Sequence, residues 1–373
     1  MNELKSAHCP VFLPQGPVKT MIRFIHALHH LQQTPSYQTV VDPLLPDTAR
    51  FDPGHEAVMM GYDFHLTPEG PRLIEVNTNA GGALLAWQAQ GRPFPYHGHR
   101  NQIMDSFNQE MLLFSQGKKL KPSSVIILDE EPEKQFLYNE MQAFAQQFAA
   151  RGIQAAIVPP ETLELREDNT LSYQGLRVDM IYNRHCDFYL QSEAMARVRT
   201  AFLNKRVCLS PHPRAYGLLA DKRRMIPWSD DSILSTMAIS PQQRRLILAV
   251  TPQTRILDTL DRSNVWQERR HWVFKPVSSH GGKGVLLGRN ISKTRFDALI
   301  PHQTLAQRLV PPALRRCPDR DQPVKTDIRF FVYGKKILGV AMRIYHGQIT
   351  TFREPGSGYA PLRLLAQDIS LSP

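Results

Sequence analysis

The sequence predicts an α+β fold that contains a separate α/β domain. Residues 57–66 alternate apolar and polar side chains, and the turn TPEGP leads into the apolar run RLIEVN, which indicates a β-hairpin. Between residues 123 and 213, apolar strands alternate with a helical segment, which is typical of parallel β-α-β units. Residues 325–345 add two apolar strands joined at Gly334-Lys335. A length of 373 residues accommodates roughly two to three domains at ~150 residues each.

Composition indicates a soluble globular protein. Apolar residues make up 42% of the chain and charged residues 21%, which argues against disorder. The four cysteines form no CxxC pair, so neither a disulfide framework nor a zinc site is indicated. The sequence opens without a secretory pattern, and no uninterrupted apolar run approaches ~18 residues. We therefore expect a cytoplasmic protein that has no membrane partner.

The chain is strongly basic, with a net charge of +11 and a pI of about 9.6. Such a charge suits nucleic acid, an anionic surface or a polyanionic small ligand. The basic residues form short scattered clusters, such as KKLK at 118–121 and KRR at 222–224, and no run reaches five. The aromatic pattern of RNA-binding modules is absent as well. The charge therefore favours a solvated surface with one anion pocket, and we expect no nucleic-acid partner.

The amino-terminal part reads as helical. Within residues 18–30 one stripe of apolar side chains recurs at helical spacing, made up of Val18, Met21, Ile22, Ile25 and Leu28. We assign residues 1–54 to an N-terminal helical segment.

The expected hairpin brings polar side chains together. If Thr67 faces Pro71 across the turn, Asp63 lies opposite Glu75, with Cβ atoms ~5 Å apart. Asn77 shares the face of Glu75, because alternate residues of a strand point the same way. The three side chains would then form one oxygen-rich cluster.

Such a cluster predicts a magnesium site. Two carboxylates this close repel each other unless a positive charge lies between them, and oxygen ligands suit Mg²⁺. His65 shares the face, but we interpret it as a neighbour, since one imidazole among oxygens is weak evidence for a transition metal. The alternative is that these residues are the solvated face of an amphipathic hairpin.

The middle of the chain predicts a parallel sheet. Its expected strands lie at 123–131, 153–160, 177–184 and 207–213, and its helix at 131–152 ends at Gly152. No GxGxxG is present, so a dinucleotide fingerprint is absent. Polar residues at one predicted strand end could line a ligand crevice or simply be solvated, namely Asn183, Arg184, Asp187 and Tyr189.

The segment WVFKPVSSHGGKGVLLG at 272–288 predicts a phosphate-binding loop between two strands. Lys275, at the end of an apolar strand, would supply a point charge to a phosphate. Glycines let backbone N–H groups approach an anion closely. The alternative is a glycine-rich hairpin without a ligand. The small residues of this loop are Ser278, Ser279, Gly281, Gly282 and Gly284.

The last apolar strands carry charges. Asp327, Arg329 and Arg343 lie within DIRFFVYGKKILGVAMR, where a buried unpaired arginine would be costly. These arginines therefore serve either a functional site or a structural Arg–Asp pair.

Taken in order, these motifs resemble ATP-grasp enzymes. A strand–Lys-Pro–glycine loop, then LAQRLV, then DIRFFVYGKKILGVAMR follow the usual order, but the E-x-N of LIEVN comes about 200 residues before the loop. This order resembles the circularly permuted branch typified by glutathionylspermidine synthetase. The resemblance implies two α+β lobes around ATP, preceded by a Rossmann-like α/β domain. The implied units are 55–120 and 311–373 for the permuted C-terminal lobe, 121–215 for the α/β domain and 216–310 for the lobe with the glycine loop.

The resemblance also implies residue roles. Asp63, Glu75 and Asn77 would hold Mg²⁺, and Lys222 and Lys275 would neutralise the α- and β-phosphates of ATP. Gly281, Gly282 and Gly284 would close over the phosphates as a lid. Gln307 and the Leu309-Val310 backbone would meet adenine, and Arg329 and Arg343 would face the charge that develops during the reaction.

The implied activity is ADP-forming ligation of a carboxylate to an amine through an acyl-phosphate. The substrates would be small molecules of amino acid, peptide or polyamine type, and a homo-oligomer is left open. The chain departs from the family at Gly61, where the synthetase has an arginine, so that role would move to Arg329 or Arg343. The alternative is a degenerate ATP-grasp protein that binds nucleotide without ligating.

Overall fold

The computed structural model describes residues 10–90, 100–278, 284–317, 322–348, 350 and 356–365. The first elements are β1 (Val11–Pro14), α1 (Gln15–Leu31), α2 (Pro35–Val41) and α3 (Asp47–Arg50). Helix α1 confirms the predicted stripe, with Met21, Ile25 and Leu28 fully buried. The sequence did not predict β1, which pairs in parallel with residues 362–365 and joins the two ends of the described chain.

The predicted hairpin is present. It consists of β2 (Met60–Thr67) and β3 (Gly70–Asn77), and is followed by α4 (Ala83–Gln90) and α5 (Arg100–Phe114). Asp63 lies opposite Glu75, as predicted, but Thr67 pairs with Gly70 and not with Pro71. A β-bulge that leaves Ile74 unpaired absorbs the extra residue. The register was therefore right at the polar end of the hairpin and wrong at its turn.

The middle of the chain forms the predicted parallel sheet. Its elements are β4 (Ser124–Leu128), α6 (Tyr138–Ala149), β5 (Gln154–Val158), β6 (Glu164–Leu165), β7 (Leu171–Tyr173), β8 (Leu176–Arg177), β9 (Met180–Asn183), α7 (Ala196–Leu203), β10 (Cys208–Ser210) and α8 (Pro213–Ala215). The order β10-β9-β4-β5 is parallel throughout, and β6, β7 and β8 form a small antiparallel meander. Helix α6 begins later than predicted, because Glu131 takes a left-handed φ of 41° and Pro132 starts only a 3₁₀ turn.

The next segment carries a second, antiparallel sheet. Its elements are α9 (Met225–Trp228), α10 (Asp231–Leu234), α11 (Pro241–Val250), β11 (Thr254–Ile256), α12 (Arg262–Gln267), β12 (Trp272–Pro276), β13 (Leu286–Leu287), α13 (Lys293–Asp297) and β14 (Thr304–Arg308). The strand order is β11-β14-β12-β13. Phe274 and Ala306 face Phe296 in a small core of this lobe. The loop between β12 and β13 is the one expected to hold phosphate.

The final strands are β15 (Ala313–Arg315), β16 (Val324–Tyr333), β17 (Lys336–Tyr345), β18 (Gly358–Ala360) and β19 (Leu362–Leu365). They join the early hairpin in one antiparallel sheet of order β18-β17-β16-β2-β3, with β15 also on β16. Arg329 of β16 lies directly across from Asp63 of β2. The hairpin and the strands of 325–345, which the resemblance assigns to one lobe, therefore share one sheet.

Apolar clusters cover both faces of this sheet. On one face Phe64 packs edge-on between Phe24 and Phe330, with ring centroids 5.8 and 5.9 Å apart. On the other face Phe331 and Leu338 belong to a cluster that includes α5 and the parallel sheet. The sheet is thereby fixed between the amino-terminal helices and the parallel-sheet unit. None of the described helices has both the length and the apolarity needed to cross a membrane.

Candidate functional site

A cleft of about 480 Å³ is lined by the antiparallel sheet, the glycine-loop lobe and the ends of the parallel strands. This volume lies in the usual range for small-molecule sites. Among the described residues, its charged lining comprises eight basic side chains and four carboxylates, namely Arg184, Lys222, Lys275, Arg289, Arg308, Lys325, Arg329 and Arg343 against Asp63, Glu75, Asp129 and Asp327. The excess of four positive charges favours an anionic ligand.

The three polar residues of the hairpin meet as the register predicts. The Asn77 Nδ2 atom lies 3.3 Å from Asp63 Oδ2 and 3.4 Å from Glu75 Oε1. Asp63 is buried, whereas Glu75 and Asn77 are half-buried and face the cleft. The alternative, in which these residues form the solvated face of the hairpin, is wrong for Asp63, which is buried.

Asp63 is held by two arginines. Arg329 Nε and Nη2 donate to its two oxygens at 2.6 Å each, and Arg343 Nη2 lies 2.9 Å from Oδ2. Burial raises the pKa of Asp63, but the two guanidinium charges outweigh that effect and lower it to about 2. Arg343 also pairs with Asp327, which accepts from the Thr350 hydroxyl. Both arginines thus form Arg–Asp pairs and line the cleft at the same time.

The glycine at position 61 follows from packing. A Cβ there would lie 2.7 Å from the Ala80 Cβ and 3.6 Å from Arg329 Nε. A larger side chain at Gly61 would therefore collide with Ala80, and Arg329 already occupies the adjacent space. This arrangement is consistent with the expected transfer of the arginine role to Arg329.

The donor set fits Mg²⁺ in part. Glu75 and Asn77 offer cleft-facing oxygens, and Mg²⁺ is commonly held by one or two carboxylates together with water and phosphates. The Asp63 oxygens already accept three N–H groups from arginines. In the described arrangement Asp63 therefore acts as an anchor for arginine, and its role as a metal ligand stays a prediction.

Lys222 and Lys275 line the same cleft, and the charge of Glu75 acts on both. Lys275 is buried and donates to the Ile74 carbonyl at 3.1 Å, a group that the β-bulge leaves outside the strand pairing. Burial lowers the pKa of Lys275 to about 8, although the negative charge of Glu75 acts in the other direction. Burial also lowers the pKa of Lys222, and Glu75 again opposes the shift. Both lysines therefore lie in a poorly hydrated site that an anion would stabilise.

The phosphate loop is described only at its two ends. Ser278 is exposed, and Gly284 takes a φ of 73° with its missing Cβ directed at Pro276. Ser279, Gly281 and Gly282 lie outside the described residues. Their roles stay predictions.

The residues expected to meet adenine lie at one end of the cleft. Gln307 is buried, and its amide nitrogen lies 3.1 Å from Met225 Sδ and 3.3 Å from Thr254 Oγ1. Gln307, Leu309 and Val310 all line the cleft. Their contact with adenine stays a prediction, and the sequence carried no signal for the contacts of Gln307 with Met225 and Thr254.

His65 connects the hairpin strand with Val310. Its Nδ1 lies 2.8 Å from the Val310 carbonyl, and its Nε2 lies 3.3 Å from the Tyr345 hydroxyl. Since a carbonyl only accepts, Nδ1 carries the proton and Nε2 accepts from Tyr345. Burial lowers the pKa of His65, which favours this neutral form. His65 therefore has a structural role beside the cluster, because it links the hairpin strand to Val310 and Tyr345.

The loop after the hairpin is tied down by residues that sequence reasoning missed. The buried carboxylate of Glu140 accepts from the backbone N–H of Gly82 at 2.6 Å and of Leu84 at 3.0 Å, which caps α4. The Gly81 carbonyl lies 3.4 Å from Arg329 Nη1. The sequence carries no signal that Glu140, which lies 56 residues after Leu84, would cap α4. The loop thereby joins the hairpin to the parallel-sheet unit.

The substitution Gly82→Ala is expected to lower the free energy of unfolding by about 3 kcal/mol. Gly82 has a φ of 95°, and an added Cβ would lie 1.7 Å from the Tyr359 hydroxyl. Gly54→Ala is the matched control, since Gly54 has a φ of 81° but nothing within 4 Å of its Cβ position. The control should lose only about 1 kcal/mol of left-handed strain. Equal losses in urea titrations of the two variants would contradict the close contact with Tyr359.

Comparison with known proteins addresses the fold. No protein-family model and no curated protein matches the chain. A glutathione synthetase-like effector from Globodera pallida superposes with a TM-score of 0.60 at 12% identity, over 96% of this chain and 89% of that one. A putative gamma-glutamylcysteine synthetase from Methylobacillus flagellatus KT gives 0.47 at 9% identity, over 91% and 84%. The ATP-grasp ligase PsnB gives 0.32 at 15% identity, over 60% and 89%.

The chain has the ATP-grasp fold that its motifs resemble. Of the three similarities given, the one to the Globodera pallida effector carries this conclusion, since its TM-score exceeds 0.5. At 12% identity it speaks to the fold alone. The circular permutation and the Rossmann-like character of the parallel-sheet unit stay predictions, as do the domain boundaries.

Proposed function

We propose that the protein is an ADP-forming ligase that joins a carboxylate to an amine through an acyl-phosphate. The observation that carries the proposal is the meeting of Lys222, Lys275 and Glu75 beside the Asp63–Arg329 pair in one cleft of an ATP-grasp fold. Acyl-phosphate chemistry needs cations that neutralise the phosphates and a group that stabilises developing negative charge, and the two lysines and Arg329 would supply them. The name of the Globodera pallida neighbour, a glutathione synthetase-like effector, is consistent with it.

The first step transfers the γ-phosphoryl group of ATP. A substrate carboxylate oxygen attacks the γ-phosphorus, the bond to the β,γ-bridging oxygen breaks, and ADP leaves with that electron pair. Lys222 and Lys275 would neutralise the phosphates, because both line the cleft, Lys275 buried and Lys222 half-buried. Glu75 and Asn77 would hold Mg²⁺, which supplies charge neutralisation at the phosphate oxygens.

The second step forms the amide. The amine nitrogen attacks the acyl carbon, phosphate leaves, and the nitrogen loses a proton. Arg329 and Arg343 would stabilise the negative charge of the tetrahedral species, since both line the cleft next to the phosphate-binding residues. Their pairs with Asp63 and Asp327 hold both guanidinium groups in place before substrate arrives.

The nucleotide base would lie against Leu309 and Val310, with Gln307 beside them in the cleft lining and held by Met225 and Thr254. His65 would keep Val310 in register with the hairpin. The glycine loop, including Gly284, would close over the phosphates. We also propose that the early hairpin is the permuted end of the ATP-grasp lobe, consistent with its place beside β16.

The second candidate function is nucleotide binding without ligation. The observation that favours it is the engagement of Asp63 by two arginines, which takes up oxygens that a metal would otherwise use. The two functions separate in an assay of ADP release with amino acids, peptides and polyamines as candidate substrates. A ligase releases ADP faster when a matching carboxylate and amine are both present, whereas a binding protein does not respond.

A further inference from the structure

Arg184 is a buried arginine that the proposed mechanism leaves without a role. It follows β9 at the carboxyl end of the parallel sheet, where open α/β sheets bind their ligands. Its side chain lines the cleft and is 7% exposed. A Cβ on Gly81 would lie 2.5 Å from Arg184 Nη2, and the Gly81 carbonyl lies 3.4 Å from Arg329 Nη1. The guanidinium groups of Arg184 and Arg329 therefore both lie against Gly81.

The position of this guanidinium is fixed by its own backbone and by a tyrosine. The Arg184 N–H donates to the Leu128 carbonyl at 2.7 Å, and the Arg184 carbonyl accepts from the Asn79 side chain. The guanidinium lies over the Tyr182 ring at 5.6 Å from its centroid and donates to the Tyr182 hydroxyl at 3.3 Å. The side chain is thus held in place before any ligand binds.

Burial lowers the pKa of Arg184, but Tyr182, Glu140 and Asp129 raise it more, so its charge is compensated by its surroundings without a direct ion pair among the described residues. In the part of the chain that the structure describes, we find no carboxylate oxygen within 4.0 Å of its guanidinium nitrogens. Glu140 uses both oxygens to cap α4, and Asp129 accepts from the Glu130 N–H at 2.8 Å. An arginine carries five N–H donors, and the hydrogen bond to the Tyr182 hydroxyl uses one of them. The side chain lines a cleft that is open to a ligand, so further donors are available to an anion there.

We propose that Arg184 binds a carboxylate of the substrate. The carboxylate substrate would then be an amino acid or short peptide, whereas a polyamine could serve only as the amine substrate. This inference rests on the proposed ligase function and narrows its substrate class. The planar guanidinium matches a carboxylate through two parallel hydrogen bonds. Phe136, which is 42% exposed, and Phe188 line the same wall and offer apolar surface to the rest of that molecule.

Thermal melting with defined probes tests this assignment. The probes are glycylglycine and L-glutamate, with glycylglycinamide and spermidine as ligands that lack a carboxylate, each with and without Mg-ATP. Glycylglycine or L-glutamate should raise the melting temperature of the wild type, whereas glycylglycinamide should not. Any shift caused by spermidine should be the same in the wild type and in Arg184→Gln, because spermidine has no carboxylate. Arg184→Gln should weaken the apparent carboxylate affinity about 100-fold and Arg184→Lys about 10-fold. If Arg184→Gln does not fold, Arg184→Lys carries the test because it keeps the charge.

The control is Arg199→Gln, because Arg199 belongs to the same unit but donates to the Leu190 carbonyl away from the cleft. It should respond to carboxylates like the wild type. Equal carboxylate affinity in the wild type and Arg184→Gln would overturn the assignment, and so would a wild type that responds to spermidine alone or to no carboxylate. A wild-type melting temperature that does not change when Mg-ATP is added would instead contradict the ligase proposal. The two failures are therefore distinguishable.

Discussion

Lys275→Ala is expected to remove most of the thermal stabilisation that Mg-ATP gives to the wild type. A ligand present at ~100 times its Kd contributes about 2.7 kcal/mol to stability. Lys275 is a buried cation of the cleft that is fixed on the Ile74 carbonyl, so its loss removes a preorganised phosphate partner. Melting curves with and without millimolar Mg-ATP provide the measurement.

Lys293→Ala is the control, since Lys293 forms an exposed pair with Asp297 in the same lobe. It should keep the full Mg-ATP shift. A folded Lys275→Ala variant that keeps the full shift as well would refute a phosphate role for Lys275.

The same lysine predicts a pH dependence. Its folded pKa of about 8 lies below the ordinary lysine value, so between about pH 8 and pH 10 the unfolded chain binds more protons at this position than the folded chain. The free protein therefore gains stability from this group as the pH rises through 8. Mg-ATP binding should weaken over the same range, because the neutral amine cannot pair with phosphate. Lys275→Arg, which stays charged, should flatten both trends.

Asp63→Asn is expected to cost about 3–5 kcal/mol of stability and most of the activity. The substitution removes the carboxylate that holds Arg329 and one partner of Arg343, and leaves buried guanidinium charge uncompensated. Because the folded pKa of Asp63 is about 2, its contribution is present above about pH 4 and is lost as the pH falls toward 2. Chemical denaturation at neutral and acid pH measures both effects.

Asp231→Asn is the comparison, because Asp231 forms a solvent-exposed pair with Arg244. Exposed pairs contribute about 0–1 kcal/mol. A loss for Asp63→Asn no larger than that of Asp231→Asn would mean that the two arginines do not depend on Asp63.

Local patterns predicted those elements whose partners are close in sequence. The hairpin, the turn at Gly334-Lys335 and the parallel strands follow from apolar periodicity and turn residues. The pairing of Asp63 with Glu75 was predicted on the assumption that Thr67 pairs with Pro71, whereas Thr67 pairs with Gly70. The β-bulge at Ile74 shifts the register by one residue and restores the predicted pairing. Periodicity carries no signal for a single inserted residue, although that residue supplies the carbonyl that Lys275 uses.

Long-range contacts could not be predicted from the sequence. Asp63 and Arg329 are 266 positions apart, and no local sequence pattern near either residue indicates that they pair. Strand β1 has four residues, too few for alternation to be distinguished from chance, and its partner lies near the other end of the chain. The resemblance to ATP-grasp enzymes assigned these distant residues to one site. It did not indicate that the oxygens of Asp63 would accept hydrogen bonds from two arginines.

Substrate-stimulated ADP formation by Glu75→Gln across a magnesium titration tests the central claim most directly. Glu75 is a cleft-facing carboxylate between Asn77 and the two lysines, and the substitution keeps its shape while removing its charge. The control Glu69→Gln changes an exposed glutamate at the turn of the same hairpin. We predict that the wild type and Glu69→Gln release ADP in response to substrate and magnesium, whereas Glu75→Gln is about 100-fold slower and recovers partly at high magnesium. Equal rates for Glu75→Gln and the wild type at every magnesium concentration would contradict a magnesium-dependent ligase site in this cleft.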